Sequence, residues 1–331
     1  MTNLALIGCG YWGPNYARAI EQVSGAGLAW CCDVSDDALE RVRDAHPGVK
    51  TAHDYREVLR ASDCDAVIVA VPTEFHVAVA SDAIACGKPV LVEKPVAPSA
   101  RAADALAELA ERHGVVAMAG HVYMFNPAFR ALLDRVRAGK LGTVRSLRCK
   151  RIGFSPIRDD VDALWDLAPH DVSMLLKIAG SLPETVFATG NAYVRAGRPD
   201  VAFGTLRFPG GLIAQLDVSW DFPEKVRELS IVGDRGIAVF DDGALDEKVR
   251  EYRRARAVPA DGSRDCRVFR EKSGRGNPLA LQVAAFLEAI ARGRATESDL
   301  REGAAVVRVV EALGESMASG CPVSLLAGAT L

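Results

Sequence analysis

The sequence predicts an α/β protein with a parallel, doubly wound sheet in its first third and an antiparallel sheet after it. Three observations support this fold class. The first 120 residues alternate short apolar runs with helical patterns, three glycines follow the first run, and the segments after residue 144 alternate apolar and polar residues. Continuous apolar runs are typical of strands covered on both faces, whereas strict alternation is typical of a half-buried antiparallel sheet.

The elements of the first region follow from these runs. The predicted parallel strands are 4–7, 27–33, 66–71, 89–92 and 115–119. Helical patterns lie between them, notably at 35–45, 74–87 and 99–114. The last two end at a glycine, which is the usual C-terminal stop of a helix.

The second region begins with a predicted helix over 126–139 and continues with long alternating strands. These strands are predicted at 144–154, 184–194, 201–220 and 226–242. A helix from Pro169 to Ile178 interrupts them. We expect it to begin there because a residue before proline avoids the helical conformation, so Ala168 should break any longer helix. Two further helices close the chain.

Composition excludes several classes of protein. A chain of 331 residues exceeds the usual size of a single core, so two domains are expected. With 25% charged residues and a net charge of −3, we expect no nucleic-acid partner. The eight cysteines form no CxxC pair, which predicts no metal site and a reducing, cytoplasmic compartment. The N-terminal apolar run is too short for a signal peptide, and no membrane partner is expected.

The three glycines at the N-terminus predict a phosphate-binding turn. Gly8 would form the turn, Gly10 would admit a pyrophosphate close to the backbone, and Gly13 would let helix and strand pack. The backbone N–H groups of Tyr11 and Trp12 should face the pyrophosphate. Asp33 closes the next strand, where it would accept hydrogen bonds from the adenosine ribose and favour NAD over NADP by repelling a 2′-phosphate.

Ligands of open α/β sheets bind beyond the carboxyl ends of the strands, so residues directly after the strands are candidate contacts. Two such stretches are "VPTEFH" and "EKP". They add the following predicted cofactor contacts: Val71, Pro72, Thr73, His76, Glu93 and Lys94.

These motifs, together with "FNPAF" at 125–129, "WDLAPHD" at 165–171 and "IVGDRGIAVFDD" at 231–242, resemble the glucose-fructose oxidoreductase/inositol dehydrogenase/rhizopine catabolism (Gfo/Idh/MocA) family. The resemblance implies an N-terminal Rossmann domain and a C-terminal α/β domain with a large open, mostly antiparallel sheet. That sheet often forms the oligomer interface, which implies a homodimer or homotetramer. We expect the Rossmann domain at 1–122, the substrate and oligomerisation domain at 123–297, and a C-terminal segment, 298–331, packing back toward the first domain.

The resemblance also implies a catalytic lysine, Lys94, often followed by a cis proline, and an Asp-x-x-x-His pair at Asp166 and His170. The chemistry of alcohol oxidation gives independent reasons for these residue types. A histidine can exchange the hydroxyl proton near neutral pH, and a cationic lysine can stabilise developing alkoxide charge. Asp166 would hold the imidazole or bind a neighbouring hydroxyl, and we expect the pair to meet across a turn before the Pro169 helix.

Tyr123, Asn126 and Trp165 are candidate walls of the substrate site, or ordinary packing residues. Many relatives have arginine at the position of Tyr123 and an acid at that of Ser173, so the family pattern is incomplete here. Basic residues at 145, 148 and 150, with Arg151 and Arg158, could meet a substrate pyrophosphate, or could form a solvated sheet face.

The favoured function is NAD-dependent hydride transfer to or from a sugar, preferably a nucleotide-activated sugar at C3. Inositol or another free cyclitol or sugar is the close alternative. Two alternatives of other classes are a dinucleotide-binding, sugar-sensing regulator and an NAD-dependent glycosidase.

Overall fold

The computed structural model describes residues 1–254, 266–271, 276–294 and 297–325, and it confirms the predicted α/β class. The chain forms two compact units. The first comprises Met1–Phe125 and Gly276–Val307. The second comprises the described residues within Asn126–Arg275 and Arg308–Leu331.

This division differs from the predicted boundaries near the C-terminus. The helix over 278–292 belongs to the first unit, where it packs against the helix that follows the glycine loop. Ser298 also belongs there, and its hydroxyl donates to the carbonyl of Ala119 at 3.0 Å. The chain after 308 belongs to the second unit, because Val323 and Ser324 extend that unit's sheet.

Fifteen strands are formed by the described residues. They are β1 (Thr2–Ile7), β2 (Ala26–Cys32), β3 (Lys50–Ala52), β4 (Ala66–Val69), β5 (Val90–Val92), β6 (Ala117–Ala119), β7 (Val144–Ile152), β8 (Thr185–Asn191), β9 (Val201–Arg207), β10 (Ile213–Ser219), β11 (Val226–Gly233), β12 (Gly236–Asp241), β13 (Val249–Arg254), β14 (Cys266–Glu271) and β15 (Val323–Ser324).

Nine α-helices are formed by the same part of the chain. They are α1 (Gly13–Glu21), α2 (Asp36–Ala45), α3 (Tyr55–Arg60), α4 (Thr73–Ala85), α5 (Ala100–His113), α6 (Pro127–Arg137), α7 (Ala163–Ala179), α8 (Pro278–Arg292) and α9 (Leu300–Ser319). None of the described helices has both the length and the apolarity needed to span a membrane.

The first unit contains a six-stranded parallel sheet in the order β3-β2-β1-β4-β5-β6. This is the order of doubly wound dinucleotide-binding sheets. Every residue of β4, β5 and β6 is buried, as the continuous apolar runs predicted. The strand β3 was not predicted because it has only three residues and begins with an exposed lysine, so it carries no apolar run.

The second unit contains a nine-stranded sheet in the order β14-β13-β12-β11-β7-β10-β9-β8-β15. Only β7 and β10 pair in parallel among its described strands, and the other pairs are antiparallel. Along β9 and β10 buried residues alternate with exposed or half-buried ones, as the sequence pattern predicted. α7 packs on β7, β9 and β10, and α6 packs on β12 and β13.

The prediction that a helix begins at Pro169 is wrong. α7 runs continuously from Ala163 to Ala179 with Pro169 inside it. The missing proline N–H and the ring clash cost about 3 kcal/mol, but each buried leucine or methionine contributes about 1.5–3 kcal/mol. Most residues of α7 are buried, and Asp162 caps its N-terminus by accepting from Trp165 N at 2.8 Å. Tertiary packing therefore outweighs the local preference of Ala168.

Candidate functional site

The glycine loop between β1 and α1 has the shape of a phosphate cradle. Gly8 has φ +99°, and a Cβ there would lie 2.5 Å from the carbonyl of Ala70. A Cβ on Gly13 would lie 2.5 Å from the Gly8 carbonyl oxygen. A Cβ on Gly10 would instead meet open space, which is the position where a pyrophosphate must approach the backbone. Gly8 and Gly13 thus form the tight turn and the close packing that their spacing predicted, and the open space at Gly10 leaves room for the predicted pyrophosphate.

The start of α1 is open to an anion. Among the described residues no side chain caps this helix, whose N-cap residue is Trp12. Its N-terminal N–H groups and dipole favour a negatively charged group. The Tyr11 side chain is 86% exposed, and that of Trp12 is 39% exposed. The Tyr11 ring therefore lies in solvent, whereas the Trp12 side chain is partly covered.

Asp33 directly follows β2 and ties it to the glycine loop. Its Oδ2 accepts from Cys9 N at 2.7 Å and its Oδ1 from Ser35 N at 2.9 Å. A carboxylate oxygen accepts more than one hydrogen bond, so both oxygens keep acceptor capacity for a ribose. Together with the open space at Gly10, this arrangement fits a dinucleotide.

The end of β4 carries the residues of "VPTEFH". Pro72 is the N-cap of α4, and Thr73 is the buried first residue of this helix. His76 is 1% exposed. Its Nδ1 lies 2.8 Å from the Pro95 carbonyl oxygen and its Nε2 lies 2.8 Å from the Val71 carbonyl oxygen.

The end of β5 places Lys94 on a turn held by Glu93. The Lys94–Pro95 peptide bond is cis, as the family resemblance implied. The Lys94 backbone N–H donates to Glu93 Oε2 at 2.9 Å, and the hydroxyl of Tyr16 donates to Glu93 Oε1 at 2.6 Å. Burial raises the pKa of Glu93, although the Tyr16 hydrogen bond and the charge of Lys94 oppose the shift. The Lys94 side chain is half-buried.

Sequence reasoning missed Tyr16. Burial and the neighbouring Glu93 raise its pKa well above the ordinary tyrosine value, so its hydroxyl stays a donor. In the sequence Tyr16 only continues the apolar face of α1. The sequence did carry one signal for a buried hydrogen bond here, namely a tyrosine at a core position of the helix, because a buried phenol needs a polar partner.

In the second unit Asp166 and His170 lie one turn apart on α7. Residues four apart face the same side of a helix, so the continuous helix brings the pair together. Asp166 Oδ1 accepts from Arg158 Nη1 at 3.1 Å, and Oδ2 accepts from the indole N–H of Trp220 at 3.0 Å. His170 is half-buried. The two residues therefore lie on one continuous helix and not across the turn that the sequence predicted.

Trp220 is the second residue that sequence reasoning missed. It follows β10 and is 2% exposed, and its indole holds Asp166 in place. A buried tryptophan usually finds an acceptor for its N–H group. No local pattern could have identified this acceptor, because 54 residues separate the two side chains.

Arg158 joins two carboxylates. Its Nε and Nη2 donate to both oxygens of Asp160, at 2.9 and 2.6 Å, while Nη1 binds Asp166. Burial opposes the charge of Arg158, but the two carboxylates raise its pKa. Arg158 is therefore a predicted phosphate contact that lies beside Asp166.

The predicted basic cluster does not form one patch. Arg148 and Lys150 lie on the exposed side of β7, whereas Arg151 lies on the buried side. Its guanidinium donates to both oxygens of Asp171 on α7 at 2.8–3.1 Å, with the two side chains only 4% and 1% exposed. Arg151 was predicted as a substrate contact, and we now assign it to the packing of α7 on the sheet.

Asn126 was also predicted as a substrate contact. It is 3% exposed, and its Oδ1 caps α6 by accepting from the N–H groups of Ala128 and Phe129. Its Nδ2 donates to Asp242 at 3.1 Å. We assign it to the support of α6.

The remaining candidates are partly or fully buried. Tyr123 is 8% exposed on the short 3₁₀ turn Val122–Phe125 of the first unit, and Trp165 is half-buried in the first turn of α7. Ser173, which stands where many relatives have an acid, donates its hydroxyl to the His170 carbonyl at 2.7 Å. Within the described part of the chain no cluster of three His, Cys, Asp or Glu side chains could hold a metal ion.

Comparison with known proteins agrees with both units. The model of the oxidoreductase family with an NAD-binding Rossmann fold (GFO_IDH_MocA) matches residues 2–121, and the GFO/IDH/MocA C-terminal domain matches residues 129–239.

Two similar proteins cover most of the chain. UDP-N-acetylglucosamine 3-dehydrogenase of Acidithiobacillus ferrooxidans is 31% identical over 295 residues, which cover 87% of this chain and 88% of that protein. A solved structure of that dehydrogenase has a TM-score of 0.84 with 26% identity, and covers 96% of this chain and 98% of its own. Myo-inositol 2-dehydrogenase of Thermotoga maritima is 28% identical over 269 residues, which cover 70% of this chain and 80% of that protein.

The strand order of the first sheet and the geometry of the glycine loop agree with these matches. The first unit is therefore an NAD-binding Rossmann domain. The chain belongs to the Gfo/Idh/MocA family of NAD-dependent oxidoreductases.

Proposed function

We propose that the chain transfers a hydride between NAD and a secondary alcohol or ketone of a sugar, with a nucleotide-activated sugar oxidised at C3 as the favoured substrate. The observation that carries the proposal is the pair Asp166 and His170 on one side of α7, with Asp166 held by two donors. An acid fixed in this way beside a histidine is suited to proton transfer at a substrate hydroxyl.

The glycine cradle and Asp33 of the first unit would hold NAD, which would supply the hydride acceptor or donor. His170 takes the proton from the hydroxyl during oxidation and returns it during reduction, because an imidazole can both accept and donate a proton near neutral pH. Lys94 donates a hydrogen bond to the reacting oxygen and stabilises the negative charge that develops on it. Asp166 orients the imidazole or accepts from a neighbouring hydroxyl, and Trp220 and Arg158 hold its two oxygens.

The substrate class rests on similarity and on Arg158. The 31% identical relative is a UDP-N-acetylglucosamine 3-dehydrogenase, and Arg158 is a guanidinium beside Asp166 that could exchange Asp160 for a phosphate. The 28% identical relative is a myo-inositol dehydrogenase, which supports the alternative of a free cyclitol.

The test is a screen of nucleotide sugars, free sugars and cyclitols with NAD, followed by NADH absorbance at 340 nm. We expect turnover with at least one nucleotide sugar, and its loss in Lys94→Ala and His170→Ala. His113→Ala, an exposed change at the end of α5, is the matched control and should keep full activity. An unaffected single-turnover hydride step in either site variant would contradict the assigned roles.

The same screen separates the other classes of function. A regulator would bind NAD and a sugar without turnover. A glycosidase would release a sugar with no net NADH.

A second copy of the chain is the proposed partner of the open sheet face. Phe187, Phe203 and Ile213 are 40–50% exposed on the neighbouring strands β8, β9 and β10. Such a row of apolar side chains on one face is typical of an interface. Sedimentation should show a dimer or tetramer, and Phe203→Lys should shift it toward the monomer.

The proposed compartment is the cytoplasm. All seven cysteines whose side chains the structure describes are free thiols, a state that a reducing compartment maintains.

A further inference from the structure

His76 connects the ends of two neighbouring strands in the first unit. Its ring lies in the first turns of α4 and is almost fully buried. The Val71 carbonyl, which follows β4, and the Pro95 carbonyl, which follows β5, each lie 2.8 Å from one of its nitrogens. One side chain therefore spans the carboxyl edge of the sheet where a dinucleotide binds.

The Pro95 contact bears on Lys94 because the two residues are adjacent. The Lys94 backbone is held before its Cα by the hydrogen bond from its N–H to Glu93 Oε2. It is held after its Cα by the contact between the Pro95 carbonyl and the His76 ring. Both holding groups are more than nine-tenths buried, so water competes little for these contacts.

We propose that His76 is a positioning residue whose Nδ1–H donates to the Pro95 carbonyl and thereby fixes the turn that carries Lys94. This inference rests on the proposed function, in which Lys94 acts on the reacting oxygen. A displacement of about 1 Å in a reacting group can cost on the order of 100-fold in rate. A side chain that never touches the substrate can therefore set the rate of hydride transfer.

Both ring nitrogens of His76 face a carbonyl oxygen, so each contact is a hydrogen bond only where its own nitrogen carries a proton, and the proposal requires a proton on Nδ1. A carbonyl oxygen only accepts hydrogen bonds, so the 2.8 Å contact at Pro95 is a hydrogen bond only if Nδ1 carries a proton. The contact with Val71 involves the other nitrogen and does not hold the Lys94 turn. The two contacts can therefore be removed one at a time.

The test compares two amide substitutions. In His76→Asn the amide nitrogen lies close to the former position of Nδ1, so the bond to Pro95 is retained and that to Val71 is lost. In His76→Gln the amide nitrogen lies close to the former position of Nε2, so the opposite bond is retained. We expect kcat to fall by less than about threefold in His76→Asn and by about 100-fold in His76→Gln, with the Kd for NAD within about threefold in both.

Matched controls are His113→Asn and His113→Gln at the exposed end of α5, which should not differ from each other. Equal losses of kcat in the two His76 variants, or a greater loss in His76→Asn, would overturn the proposal, because a merely structural histidine would not discriminate between its two contacts.

Two spectroscopic measurements decide the matter without turnover. In ¹⁵N-histidine-labelled, NAD-bound wild-type protein, the Nδ1 shift of His76 should be that of a protonated nitrogen, and an unprotonated Nδ1 overturns the proposal even where the variants do not fold. The Lys94 amide resonance should move in His76→Gln and stay in place in His76→Asn. If the wild type oxidises no sugar, the proposed function fails, while these two readings still test the positioning.

Discussion

Replacing Arg151 by methionine separates a structural role of this arginine from a role in substrate binding. Arg151 and Asp171 form a buried ion pair with three donor–acceptor contacts of 2.8–3.1 Å. Removing one partner leaves an uncompensated buried charge, which costs about 3–5 kcal/mol. We therefore expect Arg151→Met to lower the free energy of unfolding by that amount.

The double variant Arg151→Met with Asp171→Leu should recover this loss. Replacing a buried ion pair by apolar side chains of similar volume is often neutral, or stabilising by about 1–4 kcal/mol. The assay is urea unfolding without NAD, followed by circular dichroism. Arg148→Met, on the exposed side of the same strand, is the matched control and should change stability by less than about 0.5 kcal/mol.

Kinetics complete this test. If Arg151 instead contacts the substrate, Arg151→Met should raise KM about tenfold or more and change stability by less than about 1 kcal/mol. That pair of results would refute the structural assignment of Arg151 and restore the phosphate-binding interpretation.

Three further predictions concern the cradle and the side chains behind the site. Gly13→Ala forces a Cβ to within 2.5 Å of the Gly8 carbonyl oxygen, so calorimetry should show weaker NAD binding, and unfolding should show a loss of about 1–3 kcal/mol. Trp220→Phe removes a hydrogen bond to the Asp166 carboxylate and should lower kcat/KM about tenfold. An unchanged kcat/KM together with an unchanged pH–rate profile would contradict this expectation. The raised pKa of Glu93 means that the folded state binds its proton more tightly than the unfolded state, so wild-type stability falls as pH rises above about 4.5. Glu93→Gln should therefore gain stability relative to the wild type between pH 4 and pH 7, as measured by parallel thermal melts. A stability difference between the two proteins that does not change with pH would contradict the titration of Glu93 as its cause.

The sequence predicted those parts of the fold that local patterns determine. The buried strands β4 and β5 were visible as valine-rich runs, and the roles of Gly8 and Gly13 followed from spacing. α7 was predicted incorrectly because the preference of Ala168 before a proline is a local term, whereas the burial of the whole helix is a tertiary one.

The proposed site, which is still a prediction, follows from the sequence to a similar extent. Lys94 could be placed at a strand end by topology, and His170 could be chosen by chemistry. Arg151 could not be separated from the exposed basic residues, because the side of a strand on which a charge lies depends on register and on a partner such as Asp171. Trp220 was hidden for the same reason, since its acceptor is distant in the sequence.

The position of β7 has a consequence for how the second unit is made. This strand comes first in the chain among the strands of its sheet, yet it lies in the middle, between β10 and β11. During synthesis one of its edges stays unpaired until β10 has emerged, and the other until the chain up to Gly233 has emerged, and non-local pairing of this kind is slow. A strand with open edges and buried-type residues such as Leu147 is a template for pairing with other chains. A chain that ends before Val226 is therefore expected to aggregate, and this unit forms only as a whole.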